Sequence, residues 1–137
     1  MVIVDTSVWI DAFRGTTNRQ TVWLKQALGT QEIGLTSLIL CEVLQGVPTN
    51  TKFHEFRRDL LQLAVFDTGA VDLAIASAQN YRTLRQKGFT VRKTIDCIIG
   101  TFCIQEGHRL LHNDSDFIPF EMHLGLRVLH PPAVPAN

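Results

Sequence analysis

The sequence predicts a three-layer α/β/α domain with a mainly parallel central sheet, and three observations support this. Short apolar runs ("VIV", "EIGLT", "AVFD", "RLLH", "LRVL") alternate with stretches of helical period, the pattern of strands joined by crossover helices. The 137 residues suit one domain with one core, and 45% hydrophobic content excludes a disordered chain. No apolar run approaches the roughly 18 residues of a membrane span.

The first strand, Val2 to Val4, ends at Asp5, and "TSVWIDAF" follows with Thr6 or Ser7 as N-cap and Gly15 as stop. Val22, Trp23, Ala27 and Leu28 give a helix over 21–28, and "EIGLT" at 32–36 gives the second strand. Ser37 is expected to cap the helix "LILCEVLQ", which ends where Gly46 and Pro48 stop it. The amphipathic run 51–63 precedes a strand at 64–67, and Leu73 to Leu84 forms a further helix before a basic loop closing at Lys93. Thr94 opens "IDCIIGTFCIQE", in which Ile95, Ile98, Ile99 and Phe102 share a stripe and Asp96 sits about 100° away on its flank. A strand at 109–112 delivers Asn113 to Asp116 into a turn, and 126–129 is the last strand. The domain is expected over residues 1–131, with a proline-rich flexible tail at 132–137.

The start of the chain lacks a basic n-region and carries Asp5 inside its apolar run, so a cytoplasmic protein is expected. Cys41, Cys97 and Cys103 form no CxxC pair, which suits small buried hydrophobes in a reducing compartment. Equal numbers of basic and acidic residues give no net field to attract nucleic acid. Locally, however, no acid lies between Asp72 and Asp96, while Arg82, Arg85, Lys87, Arg92 and Lys93 do. That segment reads either as a solvated face or as a patch for phosphates.

Four acids stand apart because each is embedded in or abuts an apolar run: Asp5 in "VIVD", Glu42 in "LILCEVL", Asp96 in "TIDCII" and Asp114 in "LLHND". Singly, Asp5 and Asp114 also read as helix caps, and Asp96 as a first-turn acid facing the helix dipole. Glu42, in mid-helix, has no such explanation. Isolated buried carboxylates are costly, whereas convergence on a divalent cation removes their repulsion; hard oxygen donors suit magnesium or manganese. Such an ion can activate a water and hold a phosphate oxygen, which points to phosphodiester hydrolysis. No nucleophile elbow, catalytic cysteine signature or Gly-rich phosphate loop is present.

Taken in order, "VIVDTSVWID", "LILCEVLQG", "TIDCIIG" and "LLHNDSDF" resemble the PIN-domain ribonucleases, in particular VapC-type toxins of bacterial toxin-antitoxin pairs, over nearly the whole chain. The resemblance implies that Asp5, Glu42, Asp96 and Asp114 are the acidic quartet holding Mg2+ or Mn2+, Glu42 directly or through a bound water. Asp116 matches a further acid of the same turn. Thr6 or Ser7 matches the family's hydroxyl near the metal, with Ser7 favoured. The implied reaction is in-line attack of a metal-oriented water on transfer, ribosomal or messenger RNA, leaving a 5′-phosphate and a 3′-hydroxyl. The implied partners are a second copy of the chain and a VapB-like antitoxin encoded upstream, which wraps the toxin and pushes a basic side chain into the acidic pocket.

Arg82, Arg85, Arg92 and Lys93 are the candidate RNA contacts. A catalytically silent PIN-like module that pairs with a protein or nucleic acid is the alternative, though it gives no reason to keep four costly acids. A receiver-type phosphoacceptor domain fits less well, since Asp5 stands alone after the first strand and "LRVL" offers arginine where a lysine is wanted.

Overall fold

The computed structural model describes residues 1–135, which form a five-stranded sheet with every strand pair parallel. In chain order the elements are β1 (Val2–Val4), α1 (Thr6–Phe13), α2 (Arg19–Ala27), β2 (Ile33–Thr36), α3 (Ser37–Gln45), α4 (Asn50–Leu60), β3 (Ala64–Phe66), α5 (Val71–Gln86), α6 (Thr94–Glu106), β4 (Arg109–Leu111), a 3₁₀ turn (Ser115–Phe117), α7 (Ile118–Leu124) and β5 (Arg127–Val128). The strand order is β3-β2-β1-β4-β5.

Right-handed crossovers convert that order into layers. The chain moves outward from β1 to β2 to β3, which puts α1–α4 on one face, and α1 packs on α2 and α3 while α3 packs on α4. It then returns past β1 to β4 and β5, which puts α5–α7 on the other face, where α5 meets α6 and α7. The direction reverses between β1 and β4, whose register pairs Ile3 with Leu110 and Val4 with Leu111. A crevice beyond the carboxyl ends of these two strands is where an open α/β sheet binds ligands.

The core explains the strand composition. Ile3, Val4, Leu35, Leu110 and Leu111 are fully buried, because a sheet covered on both faces needs apolar side chains on both. Helix α6 is also deeply enclosed, with Cys97, Ile99, Phe102 and Cys103 buried. Its Gly100 lets Phe120 of α7 approach closely: a Cβ there would lie 2.9 Å from the Phe120 ring.

Several boundaries differ from expectation. The N-cap of α1 is Asp5, not Thr6 or Ser7, and that of α3 is Thr36, not Ser37. In both cases the residue at the strand–helix junction keeps the extended backbone a cap requires while its side chain reaches forward to the helix N–H groups. Helix α2 starts earlier, at Arg19, because Asn18 and Thr21 form a reciprocal capping box. Helix α5 extends beyond 73–84 at both ends, which places Arg85 on the helix. Helix α7 and the 3₁₀ turn before it are not among the predicted elements, since seven residues carrying a proline in the first turn show little periodicity. His112 lies just past β4 and not within it. Cys41 is exposed, a correction to the buried-cysteine reading: Ile39 and Val43 take the inward face of α3, and Cys41 turns away from it. Residues 136 and 137 of the expected tail lie outside the described residues.

Candidate functional site

Asp5 follows β1 directly, and its backbone N–H donates to the Leu111 carbonyl at 2.9 Å, which ties it to the end of β4. One carboxylate oxygen, Oδ2, caps α1 by accepting from the Ser7 N–H at 3.0 Å and the Ser7 hydroxyl at 2.7 Å. The other, Oδ1, is buried without any partner. Asp5 is therefore both a cap and a carboxylate with a free oxygen.

Ser7 is itself held by the Asn113 N–H, which donates to its hydroxyl at 3.0 Å. The Asn113 side chain in turn donates to Asp11 at 3.1 Å. The chain Asp11–Asn113–Ser7–Asp5 thus fixes the Asp5 carboxylate from two elements. Of this set, sequence reasoning missed Asp11. Its position four residues after Ser7, on the same face of α1, is a signal that could have found it.

The neighbouring hydroxyl serves a different acid. Thr6 Oγ1 donates to Glu42 Oε1 at 2.8 Å, so α1 reaches across to α3. Glu42 is half-buried, while Ile39 and Val43 on the same helix are buried. The apolar residues seat α3 and leave Glu42 at the crevice.

Asp96 stands in the first turn of α6 and is 4% exposed, deeper than the edge position expected from the helical stripe. Its Oδ2 is buried without a partner. Burial first, then the charges of Asp5 and Asp114, push its carboxyl up to about 7, with Glu42 adding to the rise and Lys93 opposing it. Asp5 is also raised, by burial above all, against the lowering effect of its bonds from Ser7. These mutual effects mark one pocket shared by Asp5, Glu42, Asp96 and Asp114.

Asp114 caps the 3₁₀ turn, accepting from the Asp116 N–H at 2.9 Å, and its own N–H donates to His112 Nδ1 at 3.2 Å. That bond makes Nδ1 the acceptor, so a neutral His112 carries its proton on Nε2. Burial lowers the His112 pKa, and the ring packs on Phe117. One oxygen each from Asp96, Asp114 and Asp116 lies within 4.8 Å of the others, a spacing that suits a shared cation.

Both oxygens of Asp116 are engaged by Arg92, whose Nε and Nη2 each lie at 3.2 Å. Lys93, next in the chain, is the N-cap of α6 and is exposed. Arg82 and Arg85 are exposed on α5 and form no ion pair with a described residue; Arg85 Nη1 donates to the Tyr81 hydroxyl. Of the four candidate basic residues, then, Arg92 and Lys93 are the ones drawn to the acidic pocket.

The donor set fits a divalent cation. Among the described residues three buried side-chain oxygens lack any partner, and two of them, Asp5 Oδ1 and Asp96 Oδ2, belong to this pocket. Two orphaned anionic oxygens, one after β1 and one on α6, are what a hard cation satisfies.

Comparisons with known proteins bear on the family and the fold. The family model described as "PIN domain" matches residues 2–120. A VapC ribonuclease of Mycobacterium bovis is 34% identical over 122 residues, spanning 85% of this chain and 89% of the relative. Ribonuclease VapC11 of Mycobacterium tuberculosis matches to the same extent. Among solved structures, VapBC2 of Rickettsia felis bound to a promoter DNA fragment superposes with a TM-score of 0.73 at 18% identity, over 94% of this chain and 98% of that one, a likeness of fold.

Proposed function

Because the chain belongs to the PIN-domain family, with VapC ribonucleases among its relatives, we propose that it is a divalent-metal-dependent endoribonuclease and the toxin of a toxin-antitoxin pair. The observation that carries the reading is the pair of orphaned buried oxygens, Asp5 Oδ1 and Asp96 Oδ2, in a pocket also facing Glu42 and Asp114. A structural role alone gives no reason to bury carboxylates with an oxygen unpaired.

Asp5, Asp96 and Asp114 would hold Mg2+ or Mn2+, with Glu42 bound directly or through a water. When bound, such an ion supplies an activated water and charge neutralisation at a phosphate oxygen. The protein does the positioning. Ser7 and Asn113 fix the Asp5 carboxylate, Thr6 fixes that of Glu42, and the turn after β4 presents Asp114. Glu42 and Asp114 would also offer carboxylate oxygens that accept hydrogen bonds from the attacking water and so help to orient it. The scissile RNA strand, from transfer, ribosomal or messenger RNA, enters over the exposed Arg92 and Lys93. A cytoplasmic homodimer and an upstream-encoded VapB-like antitoxin belong to the same proposal; structures of VapBC complexes share the fold.

The test is to incubate the purified protein with total RNA and Mg2+ or Mn2+, beside an Asp96→Asn variant and a chelator control. Discrete cuts that vanish in both controls are expected. Cleavage persisting in either one would overturn the metal mechanism, and absence of cleavage with binding of RNA or a partner intact would favour the silent binding module.

A further inference from the structure

Asp116 sits within ligand distance of Asp96 and Asp114, yet its carboxylate differs from theirs in one respect. Both of its oxygens accept from the Arg92 guanidinium, one from Nε and one from Nη2, a fork-to-fork contact. Asp5 and Asp96 instead keep an oxygen with no donor. A cation entering at Asp116 would meet oxygens that each already accept from a guanidinium, whereas at Asp5 and Asp96 it would meet unpaired ones.

The exposure of the two partners is unequal: the Asp116 side chain is 13% exposed and that of Arg92 is 73% exposed. Pairs this open to water contribute little to stability, so the contact is poorly explained as a structural staple. Its consequence is orientation. A guanidinium carries five N–H donors, and with one on Nε and one on Nη2 engaged, three remain, of which one on Nη1 and the second on Nη2 point side by side along the end edge. That edge matches a phosphate. A nucleic-acid strand approaching several carboxylates also needs a fixed positive charge beside them. Lys93 is nearby but makes no ion pair with a described residue, so its charge is not held in one place.

Resting on the nuclease reading above, we infer that Arg92 and Asp116 act as one unit, in which Asp116 is a positioning residue that aims Arg92 at a phosphate of the bound RNA strand and is not a ligand of the divalent cation. The assignment separates Asp114 from Asp116, two acids of the same turn, by function.

Two measurements test it on the full chain. In calorimetric titration with Mn2+ alone, Asp116→Asn and Arg92→Ala should keep the wild-type affinity within about twofold, while Asp114→Asn should lose about tenfold or more. A loss in Asp116→Asn as large as that in Asp114→Asn overturns the assignment. In the second, binding of labelled total RNA is followed in an Asp96→Asn background, so that hydrolysis does not intervene. Adding either Arg92→Ala or Asp116→Asn should weaken binding about tenfold and lower the slope of log affinity against log salt by about one, and combining them should add little. Arg92→Lys should restore the slope without restoring the affinity. Removing the negative charge of Asp116 would strengthen RNA binding if that residue were only an electrostatic obstacle, so stronger binding by Asp116→Asn overturns the proposal, as does full additivity. The Mn2+ arm is independent of RNA cleavage: wild-type protein that cleaves no RNA would count against the nuclease reading, not against the metal-free status of Asp116.

Discussion

The Thr6 hydroxyl donates a 2.8 Å hydrogen bond to Glu42 Oε1, joining the first turn of α1 to the middle of α3. Thr6 is 9% exposed, so the bond is shielded from competing water. Thr6→Val keeps the shape and removes the donor. A hydrogen bond to a charged group is worth about 1.5–3 kcal/mol, which corresponds to a fall of roughly ten- to hundredfold in kcat/KM if Glu42 must be held for the reaction. Thr6→Ser should restore most of it. Steady-state kinetics with unchanged kcat/KM in Thr6→Val would show that this orientation is irrelevant.

Asp96→Asn should abolish cleavage and yet stabilise the metal-free protein at pH 8. The carboxylate is buried beside Asp5 and Asp114, so ionising it in the folded state works against solvation and like charge together. The amide carries no charge. Thermal unfolding in chelator should give a higher Tm for the variant, and a lower one would mean that Asp96 has a favourable partner.

The same residue sets a pH dependence. Its carboxyl is pushed up to about 7 in the folded chain, from 3.8 ordinarily, so between those values the folded state holds a proton that the unfolded state has released. Metal-free stability should therefore be greatest near the bottom of this window and decline as pH rises through it. Asp96→Asn should flatten that decline. Mn2+ affinity should run the opposite way, rising with pH to about 7, because the ion must displace the proton. Melting curves and metal titrations at matched ionic strength check both signs.

Gly100 in α6 tests the packing behind the pocket. A Cβ would stand 2.9 Å from Phe120 Cδ1 and 3.0 Å from Cε1, so in Gly100→Ala the buried Phe120 ring must shift, with or without α7. We expect a loss of about 1–3 kcal/mol in denaturant unfolding. A stability gain would show that α7 yields without cost and that helix propensity dominates.

Much of the fold was legible because a doubly covered sheet makes its strands apolar and leaves acids conspicuous at their ends: β1, β2 and β4 are buried on both faces, and Asp5 and Asp114 follow two of them. Glu42 stood out because it interrupts the apolar run of a helix, where no capping role explains it. The partnerships were not legible, since they depend on which strands are neighbours. Asp5 meets Leu111, and Ser7 meets Asn113, because β1 lies beside β4, more than a hundred residues away in sequence. Arg92 read as part of a basic loop, and its fork on Asp116 across 24 residues depends on how that loop folds over the turn after β4. Helix α7 was missed because a short helix with a first-turn proline is specified by packing on Gly100 more than by its own pattern.

In the proposed reaction a water held by the acidic pocket, and not the RNA's own 2′-hydroxyl, attacks the phosphate. His112 lies beside Asp114 and would be the natural suspect for the second route, in which a histidine moves the proton. End-group analysis of the cleaved RNA separates them, using a substrate with a single 2′-deoxy substitution immediately 5′ of the scissile phosphate. With water as the nucleophile this substrate is still cut, leaving a 5′-phosphate and a 3′-hydroxyl. A 2′,3′-cyclic phosphate with a 5′-hydroxyl, or loss of cleavage on removing that one 2′-hydroxyl, would contradict it.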